Sequence, residues 1–122
     1  MFEKAELEIM CFIGFSKVKL WVEDGKLHYT KESLESDEKD KTSDIPLKDF
    51  SDKIEALNIS GWKKRYEPDG VMFMDGTSWK VKYETADDKP VKCSGENAFP
   101  NNWDEFITVL KSAVGEFDTF DD

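Results

Sequence analysis

Asp75-Gly76 stands between two β-rich runs. A dipeptide of this kind constrains a chain tightly, because a two-residue loop with positive φ joins strands in one twist and one register. Residues 71–84 read Val-Met-Phe-Met-Asp-Gly-Thr-Ser-Trp-Lys-Val-Lys-Tyr-Glu, a hairpin at the centre of a longer unit over residues 62–110. A further strand is expected at 91–93, then a corner at 94–100, then a helix over 102–114. In that helix Trp103, Phe106, Ile107, Leu110 and Val114 recur at helical spacing and share one face. This unit is architectural, and no catalytic motif lies within it.

The amino-terminal half reads as strands first. Ala5, Leu7, Ile9, Cys11 and Ile13 alternate with Glu6, Glu8, Met10 and Phe12, the period of a half-buried strand that Gly14 closes. The runs 17–22 and 26–30 flank Glu23-Asp24-Gly25, and Asp24-Gly25 meets the preference of a type I′ hairpin. Residues 31–44 are Glu, Ser, Asp and Lys with a single Leu34, a composition that predicts a solvated loop. Proteolysis is expected there first, between Glu32 and Asp44, and again after Gly115. A helix over 46–57 follows, with Asp44 as its cap and Pro46 in its first turn. Leu47, Phe50, Ile54 and Leu57 form its inner stripe, while Lys48, Asp49, Asp52, Lys53 and Glu55 face water. The predicted class is α+β: an antiparallel sheet of about six or seven strands with two amphipathic helices packed on one face. Residues 1–115 are expected to form a single domain and 116–122 an acidic tail.

Three stretches carry a resemblance. Asp75-Gly-Thr-Ser-Trp79, Ser94-Gly-Glu-Asn-Ala-Phe-Pro100 and Trp103-Asp-Glu-Phe106 resemble a pattern recurring in small uncharacterised bacterial proteins: a Gly-x-x-Trp strand, a Gly-x-Asn-Ala-aromatic-Pro corner, and a helix. The resemblance implies a shared α+β scaffold and names no activity. In the corner itself, Asn97 is expected to bond local backbone and Pro100 to aim the chain, through a trans bond, into the helix.

Charge is the global anomaly. The 122 residues hold 27 acids against 17 bases, a formal net charge of -10. Such a surface repels nucleic acid and anionic membranes and attracts a basic protein. No apolar run approaches the roughly 20 residues of a membrane span, and the amino terminus lacks a cationic region before an apolar stretch, so a cytoplasmic protein is expected. Cys11 and Cys93 read as reduced strand residues rather than a disulfide.

The residues that carry chemistry elsewhere are thinly supplied. A single His28 and two distant cysteines offer neither an activated nucleophile nor a zinc site. Asp37-Glu38-Lys39-Asp40 with Asp44 lacks the sixth-position Gly and closing Glu of a calcium loop. No enzyme, metal or cofactor is therefore expected. The basic cluster Trp62-Lys63-Lys64-Arg65-Tyr66 reads as a strand, and Lys63, Lys64 and Arg65 with Lys80 and Lys82 form a candidate anion site. The leading expectation is a non-enzymatic inhibitor or decoy whose carboxylates stand in for phosphates against a basic nucleic-acid-binding partner. In size and charge this resembles the anti-CRISPR class of anti-defence proteins. The candidate partner-binding residues are Glu35, Asp37, Glu38 and Asp40 in the loop, with Glu116, Asp118, Asp121 and Asp122 in the tail. The alternatives are a general protein-interaction module and a weakly marked enzyme or anion-binding protein using Lys63 to Arg65.

Overall fold

The central strands are set by alternation and by charge. The computed structural model describes residues 1–67 and 76–120. In order along the chain come β1 (Phe2–Cys11), β2 (Gly14–Glu23), β3 (Lys26–Ser33), β4 (Asp37–Thr42), α1 (Leu47–Glu55) and a 3₁₀ turn (Ile59–Gly61). Then follow β5 (Arg65–Tyr66), β6 (Ser78–Thr85), β7 (Val91–Glu96) and α2 (Trp103–Val114). Among the described residues these strands form one seven-stranded sheet in the order β4-β3-β2-β1-β6-β7-β5. Each pairing is antiparallel except β5 with β7, which is parallel, so the sheet is mixed rather than purely antiparallel. The predicted Asp75-Gly76 hairpin and the run preceding it fall on 68–75, outside the described residues.

The register follows from opposite charges placed directly across from one another. Glu6 lies between Lys19 and Lys82, and Glu8 between Lys17 and Lys80. Such pairs contribute roughly 0.2–1 kcal/mol each, while a one-residue slip would carry the whole apolar set to the wrong face. That apolar set is Ala5, Leu7 and Ile9 of β1, Val18 and Leu20 of β2, Trp79, Val81 and Tyr83 of β6, and Cys93 of β7, all buried. Asp24 and Gly25 have φ of 53° and 74°, the two positive values that a type I′ hairpin requires.

Both helices contribute to the same core cluster as these strand residues. Phe50 of α1 meets Phe2 edge-on at 5.0 Å, and Ser51 accepts the Phe2 N–H at 3.0 Å. In α2 the expected stripe is buried, with Ala113 added to it. Burying each large side chain there contributes about 1.5–3 kcal/mol. Asp44 does not cap α1: the N-cap position belongs to Pro46, which offers no side-chain acceptor. Ser43 instead ties this entry to α2 by donating to the Ala113 carbonyl at 2.6 Å.

Trp79 joins the two halves of the chain. Its indole meets Trp103 at 4.7 Å and Trp62 at 6.1 Å, and its Nε1 donates to the Ala98 carbonyl at 2.8 Å. The ring lies so close over β7 that a Cβ on Gly95 would stand 2.5 Å from Nε1. The Asn97 side chain crowds Gly76 in the same way. Asn97 has φ of 53°, accepts the Thr77 N–H at 2.9 Å through Oδ1, and donates its own N–H to the Thr77 carbonyl. The bond expected to be local therefore crosses to Thr77, the residue that precedes β6. The corner begins at Asn97, because β7 runs through Glu96, and Phe99–Pro100 is trans. Asn102 precedes α2 and bridges the interior, accepting from Trp62 Nε1 at 2.9 Å and donating to the Leu57 carbonyl at 2.7 Å.

Three expectations are corrected. Residues 31–44 are not a solvated loop: β3 continues to Ser33 and β4 pairs with it, with a register shift between Tyr29 and Lys31 where Asp40 takes φ of 54°. Backbone pairing needs no apolar side chain, and an edge strand rich in charge suits an exposed position. The segment after Gly115 does not trail away, since Phe117 and Phe120 pack against the core and Ser16 donates to the Asp118 carbonyl at 2.6 Å. Residues 62–64 are not a strand, because Trp62 turns inward to Asn102 and pairing is confined to Arg65 and Tyr66.

Asn97→Ala removes the acceptor of the Thr77 N–H and replaces asparagine, which tolerates positive φ, with alanine, which does not, for a combined loss of about 2–3 kcal/mol. Thermal unfolding should show Tm lower by roughly 8–15 °C, and Asn97→Gly, which relieves the strain alone, should recover part of the loss. Limited trypsin digestion should leave Lys39 and Lys41 uncut among the early fragments, because β4 is paired. Early cleavage at either residue would return this stretch to a loop.

Candidate functional site

The register of the first four strands brings the β1–β2 turn beside the β3–β4 turn, since Ser16 pairs with Ser33 and Cys11 with Gly14. Phe12 and Ile13 form a two-residue turn and are 79% and 63% exposed, and Leu34 in the neighbouring turn is 70% exposed. The C-terminal segment reaches the same place. Phe120 and Leu34 close over Gly14, with a Cβ there standing 3.4 Å from Leu34 Cδ1 and 3.5 Å from Phe120 Cε1. The result is a shallow concavity of about 270 Å³ whose apolar walls are Ile13, Phe15, Leu34 and Phe120 and whose polar rim includes Glu35 and Asp118.

Two candidate residues from separate parts of the chain, Glu35 and Asp118, thus line one concavity. The others are placed nearby with different degrees of engagement. Lys31 Nζ bonds the Glu38 carboxylate at 2.9 Å and the Glu116 carbonyl at 3.1 Å, and Lys111 holds the Glu116 carboxylate at 3.2 Å. Asp118 Oδ1 accepts the Phe120 N–H at 2.7 Å. Among the described residues Glu35, Asp37 and Asp40 have no ion-pair partner for their carboxylates. Asp121 and Asp122 lie outside the described residues.

The open face of the sheet is not acidic. Lys4, Lys17, Lys19, Lys80, Lys82 and Lys92 share it with Glu6, Glu8, Glu23, Glu84 and Glu96, a nearly balanced lattice. One row across the sheet runs Arg65, Ser94, Lys80, Glu8, Lys17, Glu32, Asp37. Alternation of sign holds from Lys80 to Glu32 and breaks at the edge, where Glu32 and Asp37 are direct neighbours. Like charges so placed are destabilising.

The candidate anion residues do not converge. Lys82 faces Glu6 at 3.8 Å, Arg65 binds Glu67 at 2.6 Å, and Lys63 lies over the Tyr66 ring at 5.9 Å. Lys80 shares a row with Arg65 but stands next to Glu8. His28 stacks on Trp21 and its Nδ1 is 3.3 Å from Thr42 Oγ1, and among the described residues no thiol or carboxylate lies at hydrogen-bond distance from its ring. Both cysteines are free. Among the described residues no group of His, Cys, Asp and Glu is arranged to hold a metal.

The shifted side-chain groups belong to the core. Burial pushes the Cys93 thiol up, which holds it as an unreactive thiol. Burial, reinforced by the Glu55 and Asp88 carboxylates, pushes the Tyr83 phenol up to about 12.

The apolar part of the site escaped the sequence reading. Phe12 and Ile13 fit a strand's alternation with their neighbours, yet Cys-Phe-Ile-Gly places adjacent apolar residues at a tight turn and so marks a break in it. Leu34, alone in a polar stretch, is the second such signal. No family model, curated protein or solved structure matches the chain. Among the described residues no helix is long and apolar enough to cross a membrane.

The Tyr83 phenol ionises at a lower pH in the unfolded chain than in the fold, so its contribution to stability is intact below about pH 10 and is lost as pH rises through about 12. The raised Cys93 thiol acts in the same direction from its ordinary value of 9.0. Tyr83→Phe should move the alkaline unfolding midpoint upward, with a gain of about 2–3 kcal/mol near pH 12, and change neutral stability much less. A titration of fluorescence against pH reads both.

Proposed function

We propose that this chain is a non-enzymatic binding protein that engages a basic protein surface and acts as a decoy for the nucleic acid such a surface holds. The observation that carries this reading is the break in alternation at the sheet edge. Glu32 and Asp37 stand side by side on paired strands, and the cation that would continue the row is absent among the described residues. A lysine or arginine from a partner completes the row and relieves the repulsion. Glu35, Asp37 and Asp40 supply further carboxylates, held by a paired strand and its turn rather than by a flexible chain, so less ordering entropy opposes binding. The net charge of -10 steers a basic partner to this edge.

The apolar residues at the same end favour a second reading, a general protein-interaction module. A mimic of phosphates alone has no use for an exposed Ile13 or Leu34.

The two readings separate in solution. A partner captured from nuclease-treated bacterial lysate should bind with an affinity that falls steeply with salt, and DNA or RNA should compete for the same groove. The triple variant Glu35→Lys, Asp37→Lys, Asp40→Asn should lose at least about tenfold in affinity with little change in Tm; Asn is chosen at 40 because that position has positive φ. A ternary complex with nucleic acid, bound with salt-independent affinity, would falsify the decoy and leave the module standing.

A further inference from the structure

Among the described residues, four of the six exposed large apolar side chains, Met10, Phe12, Ile13 and Leu34, are gathered at one end of the sheet. Phe12, Ile13 and Leu34 project from two adjacent turns, and Met10, 46% exposed, lies at the end of β1 beside them. Two-residue turns favour polar or small residues, and Phe12 and Ile13, 79% and 63% exposed, depart from that preference. The C-terminal segment completes the concavity below them, because Phe120 lies over Gly14 and Asp118 is fixed by Ser16 and by its own turn.

We infer that this concavity is the anchor for a cationic amphipathic segment of a partner protein, whose apolar side chains seat between Ile13, Leu34 and Phe120 while its lysines or arginines meet Glu35 and Asp118. The assignment rests on the reading of the protein as a binder of basic surfaces and names the part of that surface which must be apolar. Charge complementarity selects the occupant. A second copy of this chain would bring another Glu35 and Asp118 against the first and carry the same net charge of -10, whereas a cationic segment neutralises the rim as its apolar side chains leave water. Apolar seating and charge pairing then act together. The carboxylates set how fast the segment arrives, and the apolar walls set how long it stays.

Three synthetic peptides of equal length test the inference: one of alternating lysine and leucine blocks that forms a cationic amphipathic helix, an oligolysine of the same charge, and a glutamate–leucine counterpart. The lysine–leucine peptide should bind, should shift the NMR signals of Ile13, Leu34 and Phe120, and should bind at least about tenfold tighter than oligolysine. The glutamate–leucine peptide should not bind. Ile13→Ser and Leu34→Ser, both at exposed positions, should each leave Tm nearly unchanged and together bring the affinity for the lysine–leucine peptide down to that for oligolysine. Oligolysine binding as tightly as the lysine–leucine peptide would overturn the apolar anchor while sparing the reading as a binder of basic surfaces. Failure of both cationic peptides to bind would overturn that reading as well. A dimer in sedimentation equilibrium that dissociates on Ile13→Ser would overturn the inference in favour of self-association.

Discussion

The hydrogen bond from Trp79 Nε1 to the Ala98 carbonyl is the constraint around which the carboxyl-terminal half is built. It is made across Gly95, where a side chain would collide with the indole, so the strand partner must be glycine and the chain must turn back two residues later. Asn97 makes that turn with its left-handed backbone and holds Thr77. Pro100 then leads into α2, where Trp103 packs against the same indole. Asn102 carries the connection onward to Leu57 and Trp62. Glycine, tryptophan, asparagine and the aromatic-proline corner thus serve one another. Trp79, Gly95, Asn97, Pro100 and Trp103 are packing and turn residues that hold one another in place.

Much of this was legible because it depends on short-range rules. Asp24-Gly25 specifies its turn by backbone preference alone, and the α2 stripe specifies its buried face by period. β4 was not legible, because composition reports on burial and β4 is held by backbone bonds to β3 at an exposed edge. The docking of Phe117 and Phe120 was hidden for a related reason: a short acidic segment is held by Ser16 and Lys31, which lie more than 80 residues away in sequence. Asp44 failed as a cap because a proline two residues later took the position. At the candidate site the carboxylates could be named from charge, but the meeting of Glu35 with Asp118 is a product of sheet register and tail docking together. Ile13 and Leu34 join them only because two turns fall side by side.

The distribution of charge qualifies what a net value means for this protein. The open sheet face interleaves lysine and glutamate closely enough that most of its field cancels within a few ångströms. The largest block of the excess is residues 116–122, where Glu116, Asp118, Asp121 and Asp122 stand without a base. A partner approaching the flat face meets a patterned and nearly neutral surface, while one approaching the β4 edge meets carboxylates next to apolar side chains.

The register shift at Asp40 has a colloidal consequence. A long flat strand at the margin of a sheet is a template on which further copies add, rung by rung, into fibrils. Here one margin is bent by a bulge and studded with lysine and aspartate, and the opposite margin, β5, is only two residues long. Among the described residues, strand addition meets a bent, charged margin on one side and a two-residue strand on the other, an arrangement that opposes rung-by-rung growth.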